Sequence, residues 1–264
     1  MANEEKSTDP VASPRFGLLH FRGADARKFL QGQLSNDVNA LGAQQLMLAG
    51  VHNPQGRVLA LLRLAAPAPD HIIALLPAEL VETIGTGLRR FVLRAKVAIS
   101  AETSDAALAA LAAQVPAVAA LLDEQARARN IAAGIPQVYA ATSGEFVAQM
   151  LNLDCIGAIS FNKGCYTGQE IIARSHYRGR TKRRLQRFAS VGRTTLAPGD
   201  TLRLGDGRGA RVVDAVTLDD GRSEFLAVAP LELPVEREPM DGPEAGAART
   251  VDATALPLPY ALPE

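Results

Sequence analysis

The chain has no tryptophan, only two cysteines and four histidines, and no excess charge of either sign. Each shortage excludes something. Cys155 and Cys165 cannot make the disulfide framework of a small secreted fold, and they suit a reducing compartment. His20, His52, His71 and His176 are scattered, with none at ligand spacing to another or to a cysteine, so no dedicated metal site is expected. Lys plus Arg and Asp plus Glu both total 28. The chain as a whole is therefore not a basic nucleic-acid binder, and direct nucleic-acid contact would need a local patch. Apolar runs are too short, or too broken by proline and charge, to cross a bilayer. The polar start MANEEKSTDP has neither the apolar centre of a secretory signal nor the Arg-rich amphipathic character of a mitochondrial one. A cytoplasmic protein with no membrane partner is expected. Glycine-rich dinucleotide and phosphate loops are missing, as is the strained serine turn of the hydrolases.

What is present is a 264-residue chain, 47% hydrophobic and 21% charged, which is ample for a packed core. After a loose tail over 1–14, short β-type runs alternate with helical spacing. Strands are expected at 15–21, 44–51, 57–65, 71–76 and 96–100, with helices after Gly23 and over 77–91. That alternation reads as an α+β module over 15–100. The Ala-rich stretch 104–133 reads as helix interrupted at Pro116, inside a second module over 101–182. From Arg183 the texture changes to short β runs separated by Pro198-Gly199-Asp200, Gly205-Asp206-Gly207 and Asp219-Asp220-Gly221, which suits a small β-barrel over 183–264.

The most distinctive segment is Lys163-Gly164-Cys165-Tyr166-Thr167-Gly168-Gln169-Glu170. The run Ile156 to Phe161 before it reads as a buried strand or its end. Thr167 and Glu170 have capping-box spacing ahead of the apolar Ile171, Ile172 and Ala173. Cys165 is then expected just before a helix N-terminus, where unpaired amides and the nearby Lys163 favour a thiolate. The plainer alternative is a small cysteine buried in a tight turn.

Two further features carry polar chemistry. Arg174, Arg178, Arg180, Lys182, Arg183, Arg184 and Arg187 crowd into one short stretch with His176 and Tyr177. They could hold an anion such as a carboxylate tail or RNA phosphates, or form a solvated face. Gln31-Gly32-Gln33-Leu34-Ser35-Asn36-Asp37 offers donors and acceptors of the kind that read a heterocycle's edge, or a helix end followed by an Asx turn.

The octapeptide at 163–170 resembles the Lys-Gly-Cys-Tyr-x-Gly-Gln-Glu signature of the YgfZ family, folate-binding relatives of the glycine-cleavage T-protein, an aminomethyltransferase. Leu30 to Leu34 with Asp37, Ala133-Gly134-Ile135-Pro136, Asn152-Leu153-Asp154, Arg178-Gly179 and Leu258-Pro259-Tyr260 extend the resemblance over roughly residues 15 to 262. It implies two related α/β modules and a C-terminal β-barrel around a central folate-binding hole. It further implies tetrahydrofolate or a one-carbon derivative as cofactor, between the first two modules. Gln31, Gln33, Asp37, Tyr166, Gln169, Glu170, Arg178 and Arg180 would be the contacting residues, with Cys165 the reactive thiol and Lys163 beside it. The implied role is accessory: assembly or repair of iron–sulfur clusters, with iron–sulfur client or assembly proteins as partners and indirect support of tRNA modification. One departure stands out. The T-protein's Gly-Gly-Ile/Val-Leu/Ile-Asp-Asp stretch matches Gly56-Arg57-Val58-Leu59-Ala60-Leu61, with both acids replaced by apolar residues. Its Glu-Ala-Gly matches Ala132-Ala133-Gly134. An alkyl group cannot accept or orient a proton, so T-protein-type aminomethyl transfer is not expected. A folate-dependent one-carbon transferase acting through other residues, or an RNA-contacting factor using 174–187, are the alternatives.

Overall fold

The computed structural model describes residues 16–179, 181–232 and 248–263. The expected tail over 1–14, Arg180 and most of the Pro/Gly-rich stretch after Glu238 lie outside these residues.

Five antiparallel strands form the first sheet: β1 Phe16–Arg22, β2 Met47–His52, β3 Val58–Ala68, β4 His71–Pro77 and β5 Ala98–Glu102, in the order β2-β3-β4-β1-β5. Both faces are covered, which is why β3 and β4 read as continuous apolar runs rather than alternating ones. Helix α1, Ala26–Gln31, and helix α2, Ala78–Arg89, lie on one face. α2 buries Leu80, Val81, Ile84 and Leu88 there. At about 1.5–3 kcal/mol for each fully buried side chain, that stripe contributes on the order of 6–12 kcal/mol before chain entropy is subtracted. The other face packs Phe16, Leu18, Ala65, Ile73 and Leu75 against helices α3, Asp105–Gln114, and α4, Pro116–Leu122. Pro116 is the first residue of α4, where its missing N–H costs nothing, so the interruption read from sequence is a helix start.

Between β5 and residue 182 the described chain has helices α3, α4, α5 (Ala126–Ala132) and α6 (Gln169–Arg178), and loops. It has no ladder strand. The run Ile156 to Phe161, expected as a strand, is turn and extended loop. Its backbone bonds to a neighbouring loop instead: the Ser160 amide donates to the Ser35 carbonyl at 2.9 Å.

The second sheet comprises β6 Arg183–Ser190, β7 Thr201–Leu204, β8 Gly209–Thr217, β9 Ser223–Pro230, β10 Arg249–Val251 and β11 Ala253–Leu256, ordered β10-β7-β8-β9-β6-β11. Its two edge strands are separated in sequence by Asp252 alone. A flat sheet of this width would hold its edges about 24 Å apart, whereas the Cα atoms flanking one residue are at most ~7 Å apart. The sheet therefore curls around its own core of Phe188, Leu202, Val212, Phe225 and Ala227. β10 and β11 do not pair with each other, so the two edges are joined by chain rather than by a ladder. A bulge in β8 between Val212 and Asp214 turns Asp214 inward.

Candidate functional site

Residues 34–35 run beside edge strand β2. Leu34 bridges Val51, and the Ser35 amide donates to the Gly50 carbonyl at 3.1 Å. The Ser35 hydroxyl donates to the Ala158 carbonyl at 2.7 Å and accepts from the Gly50 amide at 2.8 Å. The Asn36 side-chain amide donates to the Leu48 and Gly157 carbonyls, each at 2.8 Å. This polar stitching covers the sheet edge and fixes the loop that leads into the cysteine segment.

Lys163 then ties the two loops together. Its ammonium donates to the carbonyls of Gln31 at 2.6 Å, Leu34 at 2.6 Å and Asn36 at 3.0 Å. Burial lowers its pKa to about 8, against a smaller pull upward from Asp37. Three carbonyl acceptors nevertheless match the three donors of the ammonium, which a neutral amine lacks, so the charged form is the one this geometry holds at neutral pH. Nζ also sits 5.1 Å from the ring centre of Tyr166. Tyr166 is buried, its phenol pushed up to about 12 by desolvation, with its ring 6.2 Å from that of His52. Lys163 and Tyr166 thus pin the loop from both sides. Gly164 and Cys165 between them are exposed.

The capping box expected at Thr167 and Glu170 is not formed. α6 begins at Gln169, its N-cap is Gly168 at φ +83°, and no side chain caps it. The cause is the close passage of Gly168 over the turn 53–56. A Cβ at Gly168 would stand 2.5 Å from the Asn53 carbonyl oxygen, and a residue turned to positive φ there cannot be helical. Cys165 therefore lies four residues before the first helical residue. Lys163, engaged on carbonyls, is a clamp. Cys155 contrasts with Cys165: it is half-buried beside Asp154, and desolvation pushes its thiol up to about 11.

The other sequence candidates divide. Gln31 donates to Asp37 at 2.9 Å and accepts from the Val38 amide at 2.8 Å, while Asp37 accepts from the Asn39 amide at 3.1 Å, starting a 3₁₀ turn over Val38–Ala40. These two side chains serve the loop itself. Gln33 is half-buried beside them, and Gln169 accepts from the Tyr166 amide at 3.3 Å. Glu170 and Arg178 are exposed, Arg178 about 13 Å along α6 from its start. The basic run disperses: Arg184 is buried against Asp154 at 3.0 Å, and Arg187 pairs with Glu224 at 2.9 Å.

Sequence reasoning missed a cleft of about 330 Å³ with one apolar and one polar side where α3, α4 and α5 meet β8. Phe16, Leu108 and Leu121 give it apolar walls, and Asn130, Gln137, Tyr139, Arg127 and Asp214 line its polar side. The Arg127 Nε donates to Asp214 at 2.7 Å, and the Tyr139 hydroxyl donates to the same oxygen at 3.2 Å. Burial pushes the Asp214 carboxyl up, while Arg127 and these donors hold it back. Behind the cleft, Arg63 lies 5.7 Å from the Phe16 ring centre and donates Nη1 to Gln137 Oε1. Burial lowers its pKa to about 10. Among the described residues, buried Arg63 Nη2 and Gln137 Nε2 have no hydrogen-bond partner. The one sequence signal for this cluster was Arg63, a lone charge inside the apolar run of β3.

Set beside known proteins, the chain matches no family model. The crystal structure of glycine cleavage system aminomethyltransferase T from Bartonella henselae superposes with a TM-score of 0.62 at 15% identity, over 83% of this chain and 77% of that one. This likeness shows a T-protein-like fold. The tRNA-modifying protein YgfZ of Enterobacter sp. (strain 638) is 30% identical over 97% of each chain. At that identity and coverage, the chain belongs to the YgfZ family.

Proposed function

We propose that this protein is a folate-binding accessory factor that presents Cys165 as a reactive thiol in the maintenance of iron–sulfur clusters, and through them supports tRNA modification. The observation that carries the reading is the Lys163 clamp. Three charge-assisted bonds hold a loop whose tip is one exposed thiol between residues that do not cover it. An accessible thiol can ligate iron or exchange with a client's sulfur once deprotonated. The tRNA link rests on the name of the Enterobacter relative. The folate part rests on the family and on the cleft where α3, α4 and α5 meet β8. Gln137, which lines the cleft, has a buried amide donor to offer a carbonyl or carboxylate oxygen, and Phe16, Leu108 and Leu121 offer apolar surface to a flat ring. Gln31 and Asp37 are engaged with their own loop, which favours the cleft over the loop as the folate site. Aminomethyl transfer of the T-protein kind is not part of this reading, because Ala60 and Leu61 are fully buried alkyl groups in β3.

Titration calorimetry with tetrahydrofolate and its one-carbon derivatives tests the folate part. Binding that Gln137→Leu removes and Gln33→Ala leaves supports the cleft, and the reverse pattern moves the ligand to the loop. No heat and no thermal stabilisation with any reduced folate refutes folate binding. The thiol part is tested in cells lacking the gene. A Cys165→Ala copy that folds yet fails to restore iron–sulfur enzyme activities supports it, and full restoration refutes it.

A further inference from the structure

Beyond the cysteine loop, α6 carries an exposed arrangement that neither the fold nor the reading above uses. Only Ile172 of this helix is buried. At its C-terminal half three rings gather at the surface, with Phe161 also packed against the core. Phe161 and His176 stack with centroids 3.8 Å apart at 15°, and Tyr177 meets them edge-on, 4.8 Å from His176 and 6.1 Å from Phe161. Tyr177 remains 68% exposed although Phe161 and His176 hold its ring in place. Arg174 and Arg178 lie three residues before and one residue after Tyr177 on the same helix, Lys182 follows the helix, and all three are exposed. None of the three has an ion-pair partner among the described residues, although every other arginine from 183 to 187 is bonded to protein. The one carboxylate on α6, Glu170, is one turn before Arg174 and makes no ion pair with it. A neutral protein thus carries, on and just after one helix, an exposed ring held in place by two others and three exposed cations without an ion-pair partner among the described residues.

We propose that this face binds an unpaired segment of RNA, with a base stacked on Tyr177 and flanking phosphates on Arg174, Arg178 and Lys182. Single-stranded nucleic acid is held by just this pairing of chemistries, since every base has a π-face and every linkage an anionic oxygen. An acidic protein surface would satisfy the cations but leave the exposed ring face without a use. A duplex would keep its bases stacked away from Tyr177. The inference does not depend on folate binding or on Cys165.

Fluorescence anisotropy with the full chain and a labelled, unstructured RNA of about 15 nucleotides tests it. Three phosphate contacts give a slope of log K against log salt of about −2. Arg178→Ala should make that slope shallower by about 0.7. Tyr177→Ala should weaken binding roughly 5- to 100-fold with the slope unchanged, and Tyr177→Phe should restore it. Both positions are exposed, so unchanged circular dichroism and melting temperature confirm that each variant is folded. No binding at about 50 mM salt overturns the proposal. So does a Tyr177→Ala variant that binds as well as the parent, or competition by inorganic polyphosphate as effective as by RNA, since either would reduce the face to a polyanion surface. Tighter binding to duplex than to single-stranded RNA would also overturn it.

Discussion

Two glycines flank Cys165 in the same motif, and the structure assigns them opposite tolerance to a methyl group. At Gly168 a Cβ meets the Asn53 carbonyl oxygen at 2.5 Å, the Gly56 Cα at 3.1 Å and the His52 Cβ at 3.2 Å, on a backbone with φ +83°. The positive φ costs an alanine about 1 kcal/mol, and overpacking costs about 1–3 kcal/mol when the neighbour cannot move. Here it cannot move cheaply. The turn is closed by the Gly56 amide on the Asn53 carbonyl at 2.9 Å and by the Asn53 amide on the Arg57 carbonyl at 3.0 Å. The Asn53 side chain accepts from the Arg57 amide at 2.9 Å, and the next residue is anchored where the Val58 amide donates to Phe146 at 2.8 Å. At Gly164 a Cβ meets nothing within 4 Å, and the residue is not at positive φ. Gly168→Ala should therefore cost about 3 kcal/mol, and Gly164→Ala should fall within about 0.5 kcal/mol of the parent. Urea unfolding followed by far-ultraviolet circular dichroism measures both, with an unchanged m-value confirming that stability alone moved. The expected drop in melting temperature for Gly168→Ala is roughly 6–12 °C. A Gly168→Ala variant as stable as the parent, or a Gly164→Ala variant equally damaged, would refute the packing argument and with it the account of where α6 starts.

The remaining predictions concern protons, thiols and a buried pair. His52 is buried and neutral, its pKa lowered from 6.5 to about 4 by desolvation. Its contribution is complete above the unfolded value of 6.5 and lost as the pH falls from there through about 4, on the order of 3 kcal/mol in all. Burial also lowers His20 and His71, so the unfolding free energy of the parent and of His52→Gln should be compared from pH 7 to 4, and parallel curves would exclude the assignment. Iodoacetamide at neutral pH should label the exposed Cys165 well before Cys155, whose thiol is held up to about 11, with mass mapping of the peptides as the check. Arg184→Met should cost about 3–5 kcal/mol in denaturant unfolding, because it strands the buried Asp154 carboxylate, whereas an exposed pair would cost little. In a reconstituted glycine-cleavage assay, replacing the T-protein with this chain should give only background methylene-tetrahydrofolate, and turnover would mean that an acid other than those at Ala60 and Leu61 does the work.

The first sheet was legible because it is local and apolar. β3 and β4 announce themselves as Val/Leu/Ile runs, and each expected strand fell within a few residues of the observed one. The curl of the second sheet was not legible. It depends on β10 and β11, two short strands from one segment that reach opposite edges through pairings with β7 and β6. Helix starts failed where a distant element intervened, as at α6, where Asn53 rather than Thr167 decides the first helical residue. The octapeptide itself was conspicuous, but its anchoring was not. Lys163 reads locally as a partner for the neighbouring thiol, and only the fold shows that three carbonyls some 130 residues earlier claim it. Arg184 likewise reads as one of a charged run and is instead a buried half of an ion pair.

The two cysteines together argue for a presented thiol. A cysteine retained only for packing belongs where Cys155 is, half-covered and hard to ionise beside a carboxylate. Around Cys165 the folding contacts run the other way. Lys163 is desolvated to reach three carbonyls, Tyr166 is buried against His52, and Gly168 passes within van der Waals range of a fixed turn, yet the cysteine between these anchors is exposed. Each anchor carries a cost: a dehydrated ammonium, a buried phenol, a backbone restricted to glycine. What they achieve in common is a short, stiff loop that holds one sulfur in solvent. That arrangement suits a group whose partner arrives from outside.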